Sequence, residues 1–300
     1  MKKILLSVLS VGVVGAVAFG ATQAFFSDTE TSTGNTFTAG EIDLTVDSTA
    51  HYAGMICNTD HVWQDEENNS VTQNDTSGIS TRPELLGQAC LGSWTATNLD
   101  THSFFNYSDV KPGDEGENTL SLHVTSNESW ACAQIGNIVD AENTLTEPEL
   151  DLNDTNATGE LSENLYFTAW LDQGTTPGFG DNESGEGDNV WQQGEPFLFS
   201  NGAGPASDVI NGVTYPLFDS TTAGLTGTMQ PGTTYYLGLQ WCAGTMTADV
   251  TNGISCDGAT MGNDTQTDSM TADISFYVEQ VRNNPNFECS SLSALPVQPN

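Results

Sequence analysis

The chain of 300 residues carries 40 acidic but only 5 basic side chains, which gives a formal net charge of −35 at pH 7. Such an acidic surface repels phosphate backbones, so nucleic acid is excluded as an expected partner. The 6 cysteines form an even set without a CxxC spacing, which is typical of an exported protein with disulfides.

The first predicted element is a secretory signal peptide over residues 1–24. Two lysines precede the apolar run Ile4–Ala21, and small residues stand ahead of the Ala24–Phe25 bond. This pattern predicts that signal peptidase cuts between Ala24 and Phe25, that residues 25–300 are secreted, and that the chain contacts a membrane only before cleavage. A retained anchor is the alternative, because the run is nearly long enough to span a bilayer. The glycines in the run and the lack of a basic stop-transfer residue favour cleavage.

Short runs of alternating apolar residues then predict β-strands. A period of two means that one face of each strand is buried and the other is exposed. Many such strands, separated by Gly, Asn, Asp and Pro, predict an all-β jelly roll or β-sandwich with long loop insertions and few short helices, formed as one domain over residues 25–300. The clearest runs are Thr36–Val46, Thr119–Val124, Leu165–Leu171, Thr234–Trp241 and Ile274–Val281.

Other segments lack this alternation. Residues 50–105 and 173–215 are polar and rich in turn residues, so both are predicted to be loop insertions. Residues 139–161 are acidic and are expected to hold one short helix, cut by Pro148.

The cysteines allow 15 disulfide connectivities. Cys242 and Cys256 flank a Gly-containing segment and could staple a hairpin. Cys57 and Cys90 flank a polar stretch and could close it as an insertion, which leaves Cys132 with Cys289 by elimination. Only the first pair has clear local support, so the connectivity stays open at this point.

A loop rich in carboxylates and glycines is the best candidate for an ion site. Calcium takes 6–8 oxygen ligands, and glycine lets a loop fold tightly around the ion. The spacing begins like a calcium loop but has Gln192 at the twelfth position, where that motif needs Glu. A solvated acidic loop is the alternative, and a second cluster, Asp257, Asp264 and Asp268, is weaker. The predicted calcium ligands are Asp172, Asp181, Glu183, Asp188 and Glu195.

No pattern predicts catalysis. The histidines are His51, His61, His102 and His123, and none lies in an HExxH motif or four residues from another. No GxSxG motif is present either. The tryptophans could stack on sugars, but aromatic side chains in β-sandwiches more often belong to the core. We therefore predict no catalytic residues.

The segment that follows the predicted cleavage site contains a recognisable set of residues: Phe26, Asp28, Thr36, Phe37, Gly40, Ile42, Asp43 and Leu44. With these residues the segment resembles the start of the mature TasA/camelysin family. A second similarity is the turn Val110–Asp114 ahead of a strand, and a third, weaker one is the closing strand from Asp273.

This resemblance implies a secreted jelly-roll domain that assembles into extracellular fibres of a biofilm matrix or into pilus-like filaments. In filament-forming relatives, the N-terminal segment of one subunit completes the sheet of the next. The family label also includes a metallopeptidase activity, but this chain lacks a zinc-binding helix motif.

We therefore expect a fibre subunit whose partners are copies of itself. An added strand supplies hydrogen bonds and alternating side chains to a sheet edge, and a head-to-tail contact that does not close propagates as a filament. Pairing of the same segment within its own sheet is the alternative. The rival functions are a camelysin-type metallopeptidase and a calcium-dependent adhesin or glycan-binding module. The predicted assembly segment comprises Phe25, Phe26, Asp28, Phe37, Ile42, Leu44 and Val46.

Overall fold

Antiparallel strands make up most of the described part of the chain. The computed structural model describes residues 42–65, 82–99, 102–152, 158–176, 178–179, 184–222 and 227–292, all within the unit Gly40–Asn300. The predicted signal peptide lies outside the described residues. The same is true of Phe25, Phe26, Asp28, Phe37, Asp181 and Glu183.

The described residues form strands and a few short helices. In chain order the strands are β1 (Leu44–Tyr52), β2 (Met55–Cys57), β3 (Trp63–Asp65), β4 (Trp94–Thr97), β5 (Glu115–Val124), β6 (Ser129–Ala141), β7 (Leu165–Leu171), β8 (Ala203–Pro205), β9 (Val213–Phe218), β10 (Thr234–Ala243), β11 (Thr245–Asp249), β12 (Gly253–Asp257) and β13 (Ser269–Gln280). The α-helices are α1 (Glu147–Asp151), α2 (Leu161–Asn164) and α3 (Ala206–Val209).

A large and a small antiparallel sheet face each other. The large sheet has the strand order β3-β2-β1-β5-β10-β7-β8, and β4 also pairs with β1. The small sheet has the order β13-β6-β9, while β11 and β12 form a separate hairpin. The apolar core lies between the two sheets, and the predicted all-β sandwich class is confirmed. Its buried members include Val46, Leu120 and Leu122 from the large sheet and Ala131 and Ile135 from the small one.

Two tryptophans of the large sheet cover glycines on the neighbouring strands. Gly116 is paired with Trp241, and Gly238 with Trp170. A Cβ atom on Gly116 would lie 2.6 Å from the Nε1 atom of Trp241, so only glycine leaves room for that ring. Each indole thereby fills the space that the missing side chain leaves, which is a known device for stabilising glycine in a strand.

Parts of both predicted insertions contribute to the sandwich. The segment after β1 forms β2, β3 and β4, which extend the large sheet, and it places Met55 and Trp63 in the core. Later in the chain, β8 and β9 occupy one edge of each sheet. These segments alternate poorly because each strand is only a few residues long, so their sequence looks like a loop.

Pro148 begins a helix instead of cutting one. It lies in the first turn of α1, where the N–H that proline lacks would have no helical partner. The expectation of one helix interrupted at Pro148 was therefore wrong, and the acidic region contains α1 and, after Gly159, α2.

Three disulfides join Cys57 to Cys90, Cys132 to Cys289 and Cys242 to Cys256, and these are the pairs that the sequence favoured. Cys132 belongs to β6 of the small sheet. The bond to Cys289 therefore fixes the C-terminal segment on that sheet, where Trp130 and Phe287 form a second buried cluster.

The turn Val110–Asp114 is held by a network of charges. The Oδ2 atom of Asp114 accepts hydrogen bonds from the Lys111 N–H at 2.9 Å and from the Tyr52 hydroxyl at 2.7 Å. It also forms an ion pair with Arg82 at 3.1 Å. Gly113 has φ +84°, a conformation that favours glycine. The motif that carries the second family similarity thus directs the chain into β5.

Candidate functional site

The outer edge of β13 is the longest unpaired strand edge in the described part of the chain. β13 has 12 residues and lies at one end of the small sheet, where its only partner among the described strands is β6. A bulge between Thr271 and Asp273 interrupts the pairing, and the register is regular from Asp273 to Gln280. An edge of this length presents a row of free N–H and C=O groups to a further strand.

The core is incompletely covered along this edge. Ile274, Phe276 and Val278 pack against the core but remain partly exposed. On the adjacent strand β6, Ala133 and Ile135 of the same sheet are buried. An additional strand beside β13 would remove the remaining apolar surface from water, which is favourable by about 25 cal/mol for each Å².

The chain enters β1 at the end of the sandwich where β13 finishes. Leu44, the first residue of β1, pairs with Val124 at the end of β5. A short connection leads from Val124 to Ser129, which begins β6 and pairs with Gln280. Leu44 therefore lies at the same end of the sandwich as Gln280, the last residue of β13.

Part of the predicted assembly segment belongs to the chain's own sheet. Leu44 and Val46 pair with Val124 and Leu122 of β5, and Val46 is buried in the core. For these two residues, the structure has the self-paired arrangement that the sequence left as the alternative. Ile42 lies ahead of β1 and is half-buried. Any donated segment therefore ends before Leu44.

Two of the predicted calcium ligands are buried and are bonded to backbone N–H groups. Asp172 is fully buried, and its two carboxylate oxygens accept hydrogen bonds from Gly187 at 3.0 Å and Asn189 at 2.8 Å. The two oxygens of Glu195 accept from Gly174 and Gln192, each at 2.7 Å. These N–H dipoles supply the positive potential that a cation would otherwise provide.

Burial also makes these two groups weak acids. It raises the pKa of Asp172 to about 7 and that of Glu195 to about 8, and the nearby Asp172 charge adds to the effect on Glu195. The backbone hydrogen bonds oppose the shift. Both carboxyl groups stabilise the fold of the surrounding loop. Asp172 bonds to Gly187 and Asn189, and Glu195 bonds to Gly174, so each links two parts of the loop that are far apart in sequence.

Asp188 lies near Asp172, and its charge contributes to the raised pKa of that group, but it is not buried with the pair. It is exposed, and its side chain accepts hydrogen bonds from Val190 N–H at 2.9 Å and from the Gln192 amide at 3.0 Å. The structure therefore brings together Asp172 and Glu195 but leaves Asp188 at the surface.

A different cluster of carboxylates has the geometry of an ion site. One oxygen from each of Glu142, Glu149 and Asp268 lies within 4.8 Å of the others. We refer to these three residues as the carboxylate cage. Sequence reasoning named only Asp268, in the weaker cluster with Asp257 and Asp264. Glu142 and Asp268 are far apart in the chain and meet only through the pairing of β6 with β13, so no local motif could reveal the cage.

None of the histidines belongs to such a cluster. The carboxylate cage is the only group of three close metal-ligating side chains among the described residues, and it contains only carboxylates. His123 is paired with Asp47 at 2.8 Å, and His102 stacks on Trp94. Burial lowers the pKa of His51 to about 4.

The tryptophans do not form an exposed platform. Those at 63, 130, 170, 191 and 241 are buried, and Trp94 is half-buried with its indole N–H bonded to the Val46 carbonyl. Their placement agrees with the core role that the sequence favoured and provides no flat surface for a sugar ring.

Residues 1–60 match the model of a family described as Camelysin metallo-endopeptidase. This match confirms the resemblance to the TasA/camelysin family over the N-terminal region, which includes β1 and β2. No curated protein matches the chain.

The family's description implies a metal centre, and the described donor sets do not fit one of the zinc-protease type. Zinc in proteases is held by histidine together with carboxylates, and the described residues contain no cluster of that kind. Within the same residues, no helix is both long enough and apolar enough to cross a membrane.

Proposed function

We propose that the protein is a secreted structural subunit that polymerises into extracellular fibres by adding the N-terminal segment of one copy to the β13 edge of the next. The observation that carries the proposal is the long regular edge Asp273–Gln280, with the half-buried side chains Ile274, Phe276 and Val278 beneath it. The N-terminal match supports the family resemblance from which a fibre role was expected, while its description names the peptidase alternative.

The segment ahead of β1 has the length and the side chains for this role. Residues 25–43 can extend over about 60 Å, which is enough to leave one sandwich and follow the edge of another. Phe25 and Phe37 have the same parity, so a strand would place both on one face, where they could cover the exposed part of the core, while Phe26 would lie on the opposite face. Cleavage after Ala24 frees this segment from the membrane.

The charge of the subunit makes the proposed association selective. Two copies repel each other over most of their surfaces, because each is strongly acidic. Strand addition places backbone hydrogen bonds and apolar side chains at one edge only, so it favours a single head-to-tail contact.

Electron microscopy of residues 25–300 beside a chain that lacks Phe25–Gly40 tests the proposal. We expect filaments from the first protein and monomers from the second. Filaments from both would exclude a donated N-terminal strand, and filaments from neither would favour a monomeric binding module.

Cysteine crosslinking distinguishes donation from folding back. One chain carries Thr38→Cys and a second carries Ser275→Cys, and the two are mixed under mild oxidation. Donation predicts a covalent dimer of the two chains, and a ladder of multimers when both substitutions are in one chain. A chain with both substitutions that forms only an internal disulfide would show self-pairing. Thr247→Cys, an exposed position in the β11–β12 hairpin, is the matched control for Ser275.

The peptidase alternative is tested on the same preparation. Digestion of an unfolded protein substrate that stops on chelation and returns with zinc would overturn the structural role. We expect no such digestion, because the described histidines form no metal cluster.

A further inference from the structure

The carboxylate cage joins three separate elements. Glu142 directly follows β6, Glu149 belongs to α1, and Asp268 directly precedes β13. Ala141 pairs with Ser269, so the next residue on each side of this pair brings Glu142 and Asp268 together at the end of the sheet. The helix then places Glu149 against both.

Three oxygens of the cage are buried without a hydrogen-bond partner. Glu149 is fully buried; its Oε2 atom accepts a hydrogen bond from the Thr146 N–H, but its Oε1 atom has none. The Oε2 atom of Glu142 and the Oδ1 atom of Asp268 are also buried and unpartnered. Burying carboxylate oxygens in this way is costly unless a positive charge meets them.

No ion pair among the described residues joins a lysine or arginine to the cage. Arg82 pairs with Glu84, Asp109 and Asp114, and Lys111 pairs with Asp109. Arg282 follows the opposite end of β13 from Asp268, and a strand of 12 residues spans about 40 Å.

The surrounding loops hold the cage in place. The Oδ2 atom of Asp268 accepts a hydrogen bond from the Glu160 N–H at 2.6 Å. Gly159 packs on the same carboxylate, and a Cβ atom there would lie 2.5 Å from the Asp268 Cγ atom.

The donor atoms of the cage favour a hard cation. The oxygens lie within 4.8 Å of one another, so one ion can contact all three. Calcium accepts several carboxylate oxygens in flexible geometry, whereas magnesium demands near-octahedral geometry and usually keeps several waters. All three donors are carboxylates, which suit hard cations, whereas zinc and copper favour imidazole or thiolate. The cysteines are all in disulfides.

We propose that Glu142, Glu149 and Asp268 bind one calcium ion, which fastens the start of β13 to the end of β6 and to α1. This site is distinct from the predicted loop around Asp172 and Glu195, where backbone N–H groups already occupy the carboxylate oxygens. The proposal does not depend on fibre formation.

Calcium titration by calorimetry on the chelated protein is the direct test. We expect one site in the wild type, weakened by about tenfold or more in Asp268→Asn and in Glu149→Gln, because each loses one of three anionic ligands. Glu163→Gln, an exposed carboxylate in α2, is the matched control and should bind as the wild type does. Absence of binding, or binding that is lost in Glu195→Gln but kept in the cage variants, would overturn the proposal.

Thermal unfolding in chelator and in calcium distinguishes a calcium ligand from a carboxyl group that only stabilises the fold. Glu142 is half-buried, so Glu142→Gln is the variant best placed to fold. In chelator, its Tm should equal or exceed that of the wild type, because one of three repelling charges is gone. In calcium, the Tm of the wild type should rise more than that of the variant, so that the wild type becomes the more stable protein. A variant with a lower Tm in both conditions and an unchanged response to calcium would contradict the assignment.

Discussion

Replacing Glu195 with Gln removes a buried carboxyl group whose pKa burial raises from an ordinary value of 4.5 to about 8. A carboxyl group with a raised pKa in the folded state stabilises the protein in its protonated form. This contribution is complete below about pH 4.5 and is lost as the pH rises through about 8. At about 1.4 kcal/mol per pKa unit, the wild type should lose about 4 kcal/mol of unfolding free energy from this group between about pH 5 and pH 8.5.

The variant should behave differently at the two ends of this range. At low pH it is less stable than the wild type, because the Gln side chain has one carbonyl oxygen for the N–H groups of Gly174 and Gln192. A lost hydrogen bond of this kind costs about 1–3 kcal/mol. The difference in unfolding free energy between the wild type and Glu195→Gln should shrink or reverse at high pH, because the wild type must then accommodate a buried negative charge.

Urea unfolding followed by tryptophan fluorescence at a series of pH values, with chelator present, measures this difference. Glu163→Gln carries the same charge change at an exposed position and corrects for the general repulsion in an acidic protein. If wild type and Glu195→Gln lost stability in parallel across the range, Glu195 would already be ionised at low pH, and the reasoning from burial would be refuted.

Two further predictions concern the sheet and the surface. Gly116→Ala should destabilise the fold by about 1–3 kcal/mol, because the new Cβ atom meets the buried Trp241 ring; chemical denaturation measures the loss, and an unchanged midpoint would show that the ring can move. Raising sodium chloride from about 0.1 M to about 1 M shortens the Debye length from about 10 Å to about 3 Å, so filaments should nucleate faster, as followed by light scattering. Slower growth in salt would indicate a contact built on opposite charges.

The sequence revealed strands where the buried face is apolar and missed them where it is not. Leu165–Leu171 alternates clearly, and its predicted bounds equal those of β7. The prediction for β1 stopped at Val46, but the strand continues to Tyr52. The buried face beyond Val46 is formed by Ser48, Ala50 and Tyr52, and the polar Ser48 and small Ala50 interrupt the apolar pattern before Tyr52.

The candidate sites were harder to predict because they depend on register. The carboxylates around Asp172 are close together in sequence, so the composition of the loop drew attention to them. Glu142 and Asp268 lie on opposite sides of the long connection between β6 and β13. Their meeting depends on the pairing of Ala141 with Ser269, which no single-strand pattern specifies.

The position of β1 within the large sheet determines how a fibre of these subunits would respond to being stretched. Tension along a donated segment would enter the donor's own sandwich at Leu44, in line with β1. All 9 residues of this strand pair with β5, so the pull would act parallel to the strands and strain their hydrogen bonds together. Peeling would instead break them one at a time. A fibre built in this way would resist extension better than one in which the pull breaks the hydrogen bonds of each subunit one after another.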